Sequence, residues 1–158
     1  FIQNGNDNEN IIVHSAGNQH GHLILRGGDS PNYSKFHVQT AASVLKRDNL
    51  IARLVVDLSH GNSQKVAQNQ LQVANNIADQ IRAGDSNIAG VMCESFLRSG
   101  QQPSDQRPLK YGQSITDECI NWQDTVNLLN ILNSACLNRI NDRQTGITPT
   151  QLERPCMD

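Results

Sequence analysis

Between Leu23 and Cys136 the chain alternates, three times over, a short apolar run with a stretch whose apolar residues recur at helical spacing. Nothing else in the sequence limits the fold as severely. Leu23 to Leu25 runs into Arg26-Gly27-Gly28, and Val38, Ala41, Ala42 and Leu45 then mark one face of a helix closing on Lys46-Arg47, where cations suit the negative end of the helix dipole. Ile51 to Leu58 is the second run. Leu71, Ala74, Ile77 and Ile81 form the second helical face, with Gly84 placed to cap it. Ile88 to Met92 is the third run, followed by a polar loop from Arg98 to about Thr116 and a last helix carrying Trp122, Val126, Leu129, Leu132 and Cys136. Strands that are apolar along nearly their whole length are buried on both faces, so the pattern predicts a parallel sheet covered by helices, as in a doubly wound sheet or a TIM barrel. Three units do not close a barrel by themselves.

The flanks read differently. A turn-rich cluster from Asn4 to Asn10 separates Phe1-Ile2 from Ile11-Val13 and predicts an accessory β-hairpin over residues 1–20. The repeat occupies 21–140, and 141–158, with Gly146, Pro149, Pro155 and no apolar period, reads as an extended or disordered tail. The chain opens at Phe1, without an initiator methionine, inside what reads as a structural element, so an upstream segment is expected. Of its 158 residues 37% are hydrophobic and 18% charged, enough for one core of ordinary size. A net charge of −2 provides no basic footprint for nucleic acid or an anionic membrane. No run reaches the ~20 apolar residues of a membrane span, and no signal segment leads the chain. A cytoplasmic protein acting on small molecules is expected. Cys93, Cys119, Cys136 and Cys156 stand singly, without CxxC pairs, which points to reduced thiols.

In an α/β sheet, ligands gather at the C-terminal ends of the strands. The second run leads to His60, the third to Glu94, and the loop beyond carries Asp117. Parallel strands bring these ends to one rim, and an imidazole with two carboxylates suits Mn, Fe, Co or Zn. Taken singly, each also has a structural reading: a hydrogen-bonded histidine at a strand end, or a glutamate capping the next helix. Arg26 before Gly27-Gly28 either receives a phosphate on its guanidinium and the glycine N–H groups or is a surface arginine in a helix-start turn. Lys65 could act likewise or be surface charge on a first helical turn.

Four segments carry a more specific message: HLILRGGDSPNYS (His22 to Ser34), VVDLSHGNSQK (Val55 to Lys65), AGVMCESFLRSGQQ (Ala89 to Gln102) and YGQSITDECINW (Tyr111 to Trp122). In this order and spacing they closely resemble the class I 3-deoxy-D-arabino-heptulosonate 7-phosphate (DAHP) synthases, over about Phe1 to Arg139, with wording nearest the tryptophan-sensitive isozyme. The resemblance implies a TIM (β/α)8 barrel that condenses phosphoenolpyruvate with erythrose 4-phosphate and water, giving DAHP and phosphate at the head of the shikimate pathway. It implies a divalent metal cofactor whose ligands fall on His60, Glu94 and Asp117, with Asp117 also at the substrate and Arg26 contacting phosphoenolpyruvate.

By the same resemblance the chain is the accessory hairpin plus strands six to eight with their helices, the C-terminal part of the barrel. The family's fourth metal ligand is a cysteine on the first strand, a place that none of the four cysteines here fits. The implied partners are the N-terminal half of the same enzyme, further copies in a homo-oligomer, and a feedback aromatic amino acid bound near the hairpin, with Phe1 and Val13 at positions resembling the floor of that pocket. Gln3 stands where the relatives commonly have a small serine. Plain core packing is the other reading of Phe1 and Val13. For the whole chain, the alternative to part of an active synthase is a non-catalytic fragment or interaction module derived from one. The isolated 158-residue chain is expected to be inactive.

Overall fold

The structure, a computed structural model, describes residues 2–4, 10–18 and 20–145, so Phe1 and Cys156 lie outside the described residues. Strands β1 (Ile2–Asn4) and β2 (Asn10–Ile12) pair antiparallel with Ile2 opposite Ile12, forming the hairpin expected there. Strand β3 (Leu23–Leu25), helix α1 (Lys35–Arg47), strand β4 (Leu54–Asp57), helix α2 (Asn69–Arg82) and strand β5 (Ile88–Met92) follow in strict alternation, and helix α3 (Trp122–Thr145) comes after a long loop. The three later strands form one parallel sheet in the order β3-β4-β5.

The register explains why β4 reads as apolar throughout. Leu54 lies beside Leu23 and Ile88, and Val56 beside Leu25 and Val91. Leu25, Leu54, Val56 and Ile88 enter one core with Val38 and Ala42 of α1, Val73, Ala74, Ile77 and Ala78 of α2, and Leu128 and Ala135 of α3. Full burial of each such Leu, Ile or Val is worth about 1.5–3 kcal/mol. Helices α2 and α3 pack against each other. On the opposite face Ile24, Val55 and Gly90 form one row, with Ile24 exposed on edge strand β3.

Both crossover helices stop the same way. After α1, Asn49 takes a left-handed conformation (φ 58°), its N–H bonds the Lys46 carbonyl, and the Leu50 N–H bonds the Leu45 carbonyl. After α2, Gly84 (φ 95°) and Asp85 repeat the pattern on the Ile81 and Gln80 carbonyls. These are Schellman endings, and they turn each chain back toward the sheet.

Three boundaries differ from the sequence reading. The second strand begins at Leu54, not Ile51, because Leu54 is the first residue to find partners on both sides and Ile51 stays exposed. The second helix begins at Asn69, since residues 60–68 are spent in hydrogen-bonded turns. Helix α3 runs to Thr145, beyond the expected tail start at Asn141; Asn141 to Thr145 contain neither Gly nor Pro, so nothing breaks the helix there. The rest of the tail falls outside the described residues.

Candidate metal centre at the strand ends

The chain leaves β4 through a tight polar turn whose shape follows from its side chains. Asp57 is on the helix-free side of the sheet but has no solvent exposure. Its Oδ1 accepts the Ser59 N–H (2.9 Å) and hydroxyl (2.6 Å), a local turn that aspartate favours. His60 then adopts φ 49°, a left-handed conformation that costs a non-glycine residue about 1–2 kcal/mol. Its Nδ1 lies 2.7 Å from Asp57 Oδ2 and 2.9 Å from Ser59 Oγ. The turn closes with the Lys65 N–H on the His60 carbonyl at 2.8 Å.

Asn62 ties this turn to the neighbouring strand. Fully buried, it donates from Nδ2 to the carbonyls of Leu25 (3.0 Å) and Asp57 (2.7 Å), and its Oδ1 accepts the Asn32 N–H (2.7 Å). Gly27 and Gly61 touch backbone to backbone. A Cβ on Gly27 would lie 2.6 Å from Asn62 N, and one on Gly61 would lie 2.8 Å from the Gly27 carbonyl carbon. The Gly27 N–H is bonded to Asn32 Oδ1 and the Gly28 N–H to the Ser30 carbonyl. These glycines therefore serve the contact between two loops, and the structural reading of Gly27-Gly28 replaces the phosphate cradle.

Glu94 follows β5, and its backbone is held in both directions by the fully buried Gln70: the Glu94 N–H reaches Gln70 Oε1 (2.9 Å) and Gln70 Nε2 reaches the Glu94 carbonyl (3.1 Å). The loop beyond returns Asp117 to the same rim. His60 Nε2 lies 3.5 Å from Glu94 Oε1 and 3.8 Å from Asp117 Oδ2, and one ligand atom from each residue lies within 4.8 Å of the others. Donors each about 2.1 Å from one ion sit ~3–4 Å apart, the range of the two His60 separations, so the three residues could hold a divalent cation. Side-chain exposure rises from 18% at His60 through 32% at Glu94 to 66% at Asp117, so the cluster opens outward on one side.

Arg26, at the end of β3, stands on this rim with Nε 4.0 Å from Asp57 Oδ2 and its side chain 61% exposed, reaching solvent at the mouth of the site. A cavity of about 210 Å³ lies over the cluster, lined also by Ser59, Ser63, Lys65, Gln101 and Glu118. Lys65 precedes α2 and is not on its first turn; a left-handed backbone (φ 60°) puts it at the cavity. Glu118 Oε2 accepts the Ala67 N–H at 2.7 Å, fastening the Asp117 loop to the start of α2. Two thiols flank the carboxylates. Burial first, then Glu94 and Asp57, pushes the Cys93 thiol up. Burial also leads for Cys119, with Glu94 and Asp117 adding to it and a hydrogen bond with Ser114 partly offsetting it.

Of the residues singled out from sequence, the structure gathers His60, Glu94, Asp117 and Arg26 on one rim. Val13 is half-buried just past β2, and Phe1 lies outside the described residues. Asp57, Asn62 and Gln70 received no role from sequence. The one signal for Asp57 was a charged residue closing an apolar strand.

Known proteins resemble this chain closely. The profile of the DAHP synthetase I family matches residues 3–130. The Trp-sensitive phospho-2-dehydro-3-deoxyheptonate aldolase of Salmonella typhimurium is 46% identical over 140 residues, covering 88% of this chain and 40% of that protein. Its Escherichia coli counterpart is 46% identical over 136 residues, covering 85% and 39%. The solved structure of phospho-2-dehydro-3-deoxyheptonate aldolase from Francisella tularensis superposes with a TM-score of 0.79 at 41% identity, covering 88% of this chain and 41% of that one. The chain thus spans about two-fifths of the length of the relatives it matches.

Proposed function

The chain belongs to the DAHP synthetase I family, and from that premise we propose that it supplies the metal-binding part of a DAHP synthase, with β3, β4 and β5 as strands six to eight of a TIM barrel. The whole protein would join phosphoenolpyruvate to erythrose 4-phosphate in the cytoplasm, the first step of aromatic amino acid biosynthesis. No described helix is long and apolar enough to cross a membrane. The observation that carries this reading is the convergence of His60, Glu94 and Asp117 beside Arg26, at the C-terminal ends of parallel strands.

His60 Nε2 and the Glu94 and Asp117 carboxylates would hold a divalent cation, Mn, Fe, Co or Zn. When bound, the cation supplies Lewis-acid polarisation of an aldehyde oxygen. Arg26 presents its guanidinium to a phosphoryl or carboxylate group and offsets charge without moving a proton. Lys65 adds a cation to the cavity over the cluster. The Asp57 carboxylate lies between Arg26 and His60, hydrogen-bonded to His60 Nδ1 and 4.0 Å from Arg26 Nε. A feedback aromatic amino acid, the N-terminal half of the barrel and further subunits are the proposed partners.

The test is phosphoenolpyruvate consumption by the complete protein. We expect it only with erythrose 4-phosphate present, lost on chelation, restored by Mn²⁺, and abolished by His60→Ala. Turnover indifferent to chelation would sink the reading. The second reading, a non-catalytic module, draws on the exposed edge of β3 and on the two-fifths span. It predicts that the 158-residue chain occurs naturally without a second polypeptide, which intact mass and gel filtration decide.

A further inference from the structure

We infer that Asp57 is a positioning residue that fixes the tautomer of His60, keeping the proton on Nδ1 so that Nε2 faces Glu94 and Asp117 with a free lone pair. The inference deepens the metal-site reading above and rests on it.

For a neutral His60 ring the proton bookkeeping leaves one self-consistent arrangement. Asp57 Oδ1 receives both the N–H and the hydroxyl of Ser59, and at 2.6 Å the hydroxyl contact is the shorter. A hydroxyl has one proton, so Ser59 Oγ, having donated it to Asp57, can only accept from His60 Nδ1 at 2.9 Å. Asp57 Oδ2, at 2.7 Å from the same nitrogen, also accepts. Two acceptors thus face Nδ1, and Nδ1 must carry the hydrogen. In the neutral ring Nε2 is then bare, and it is the atom that stands 3.5 Å from Glu94 Oε1 and 3.8 Å from Asp117 Oδ2.

Asp57 is well placed to impose this state. It is fully buried, it closes a strand paired on both sides, and its own carbonyl is held by Asn62. A carboxylate behind a ligating imidazole orients the ring and raises its basicity, and removing such a partner weakens metal binding about 10- to 100-fold. Its Oδ2 also lies 4.0 Å from Arg26 Nε, so its charge faces the arginine of the rim as well as the histidine.

Two measurements on the complete protein test this. In metal-free protein, at a pH where imidazole is neutral, ring ¹⁵N shifts should show His60 protonated at Nδ1 and bare at Nε2; the opposite tautomer overturns the inference, and no variant is involved. In Co²⁺ titrations followed by visible absorption, D57N should raise the dissociation constant about 10- to 100-fold and change the Co²⁺ spectrum. Unchanged affinity and spectrum in D57N, with H60A losing binding, would overturn the positioning role and leave the metal site standing. Absence of saturable Co²⁺ binding by the unsubstituted protein would instead overturn the metal site itself. Should D57N fail to fold, S59A, which removes only a hydroxyl, should still raise the dissociation constant several-fold, and a wild-type value there counts against the inference.

Discussion

The two segments that bring the proposed metal-binding residues to the rim are built on different principles. The turn from Asp57 to Gln70 is held by side chains that are themselves buried: Asp57, Ser59, Asn62, Ser63 and Gln70. The loop from Ser95 to Asn121 is held chiefly by backbone bonds across it, Phe96 to Ile120, Arg98 to Gly112, Gly100 to Cys119 and Gln102 to Ser114, with the Gln102 side chain clamping Lys110 and Gln113. Its ligand, Asp117, sits two-thirds exposed. The lesson concerns preorganisation. On the proposed metal-site reading, His60 is oriented in advance by buried partners, while the exposed Asp117 is the member with room to adjust.

Substitutions can break this comparison. The largest effect is expected from Gly27→Val, which drives a branched side chain into the Gly61–Asn62 backbone at a left-handed position. It should destabilise the complete protein by about 4 kcal/mol or more in denaturant titration, a size tied to strain at a special φ/ψ. Asn62→Ala comes next. It strands the Leu25 and Asp57 carbonyls and the Asn32 N–H, and a loss of about 3 kcal/mol is expected, since each unsatisfied buried group costs ~1–3 kcal/mol and the effects do not simply add.

Gln70→Ala should cost about 2 kcal/mol by unpairing the Glu94 N–H and leaving the Glu94 carbonyl to the Ile120 N–H alone, and should weaken Co²⁺ binding in parallel. Asp117→Asn should change stability by no more than about 0.5 kcal/mol, as for an exposed side chain, yet clearly lower metal affinity. If Asp117→Asn proves as destabilising as Asn62→Ala, the contrast between a rigid turn and an adjustable loop is wrong. If Gln70→Ala lowers stability but leaves Co²⁺ affinity intact, Glu94 is less dependent on its backbone anchor than its geometry implies.

Much of the architecture was legible because hydrophobic burial writes itself in periodic form. Leu54 and Val56 announce a doubly covered strand, and Leu71, Ala74, Ile77 and Ile81 announce the helix that covers it. The positions of His60, Glu94 and Asp117 could be picked because strand ends in a parallel sheet converge. Buried polar residues carry no such signature. Asn62 and Gln70 look like surface residues in the sequence, and only the folded chain reveals that their amides satisfy backbone groups left over by strands and turns.

Lys65 illustrates the same limit from the other side. Its sequence setting suggests a solvated helix start, and it was the run of turns after His60 that placed it at the cavity. What the amino-acid sequence determined by itself was therefore the order of elements, the apolar face of each, and the residue types available at the rim, because these follow from local propensity and spacing. What only the tertiary structure decided was which polar side chains hold the rim in shape and which atom of His60 faces the other ligands. Those outcomes depend on hydrogen bonds between segments far apart in sequence, 37 residues for Asn62 to Leu25 and 51 for Ala67 to Glu118, and no local pattern encodes them.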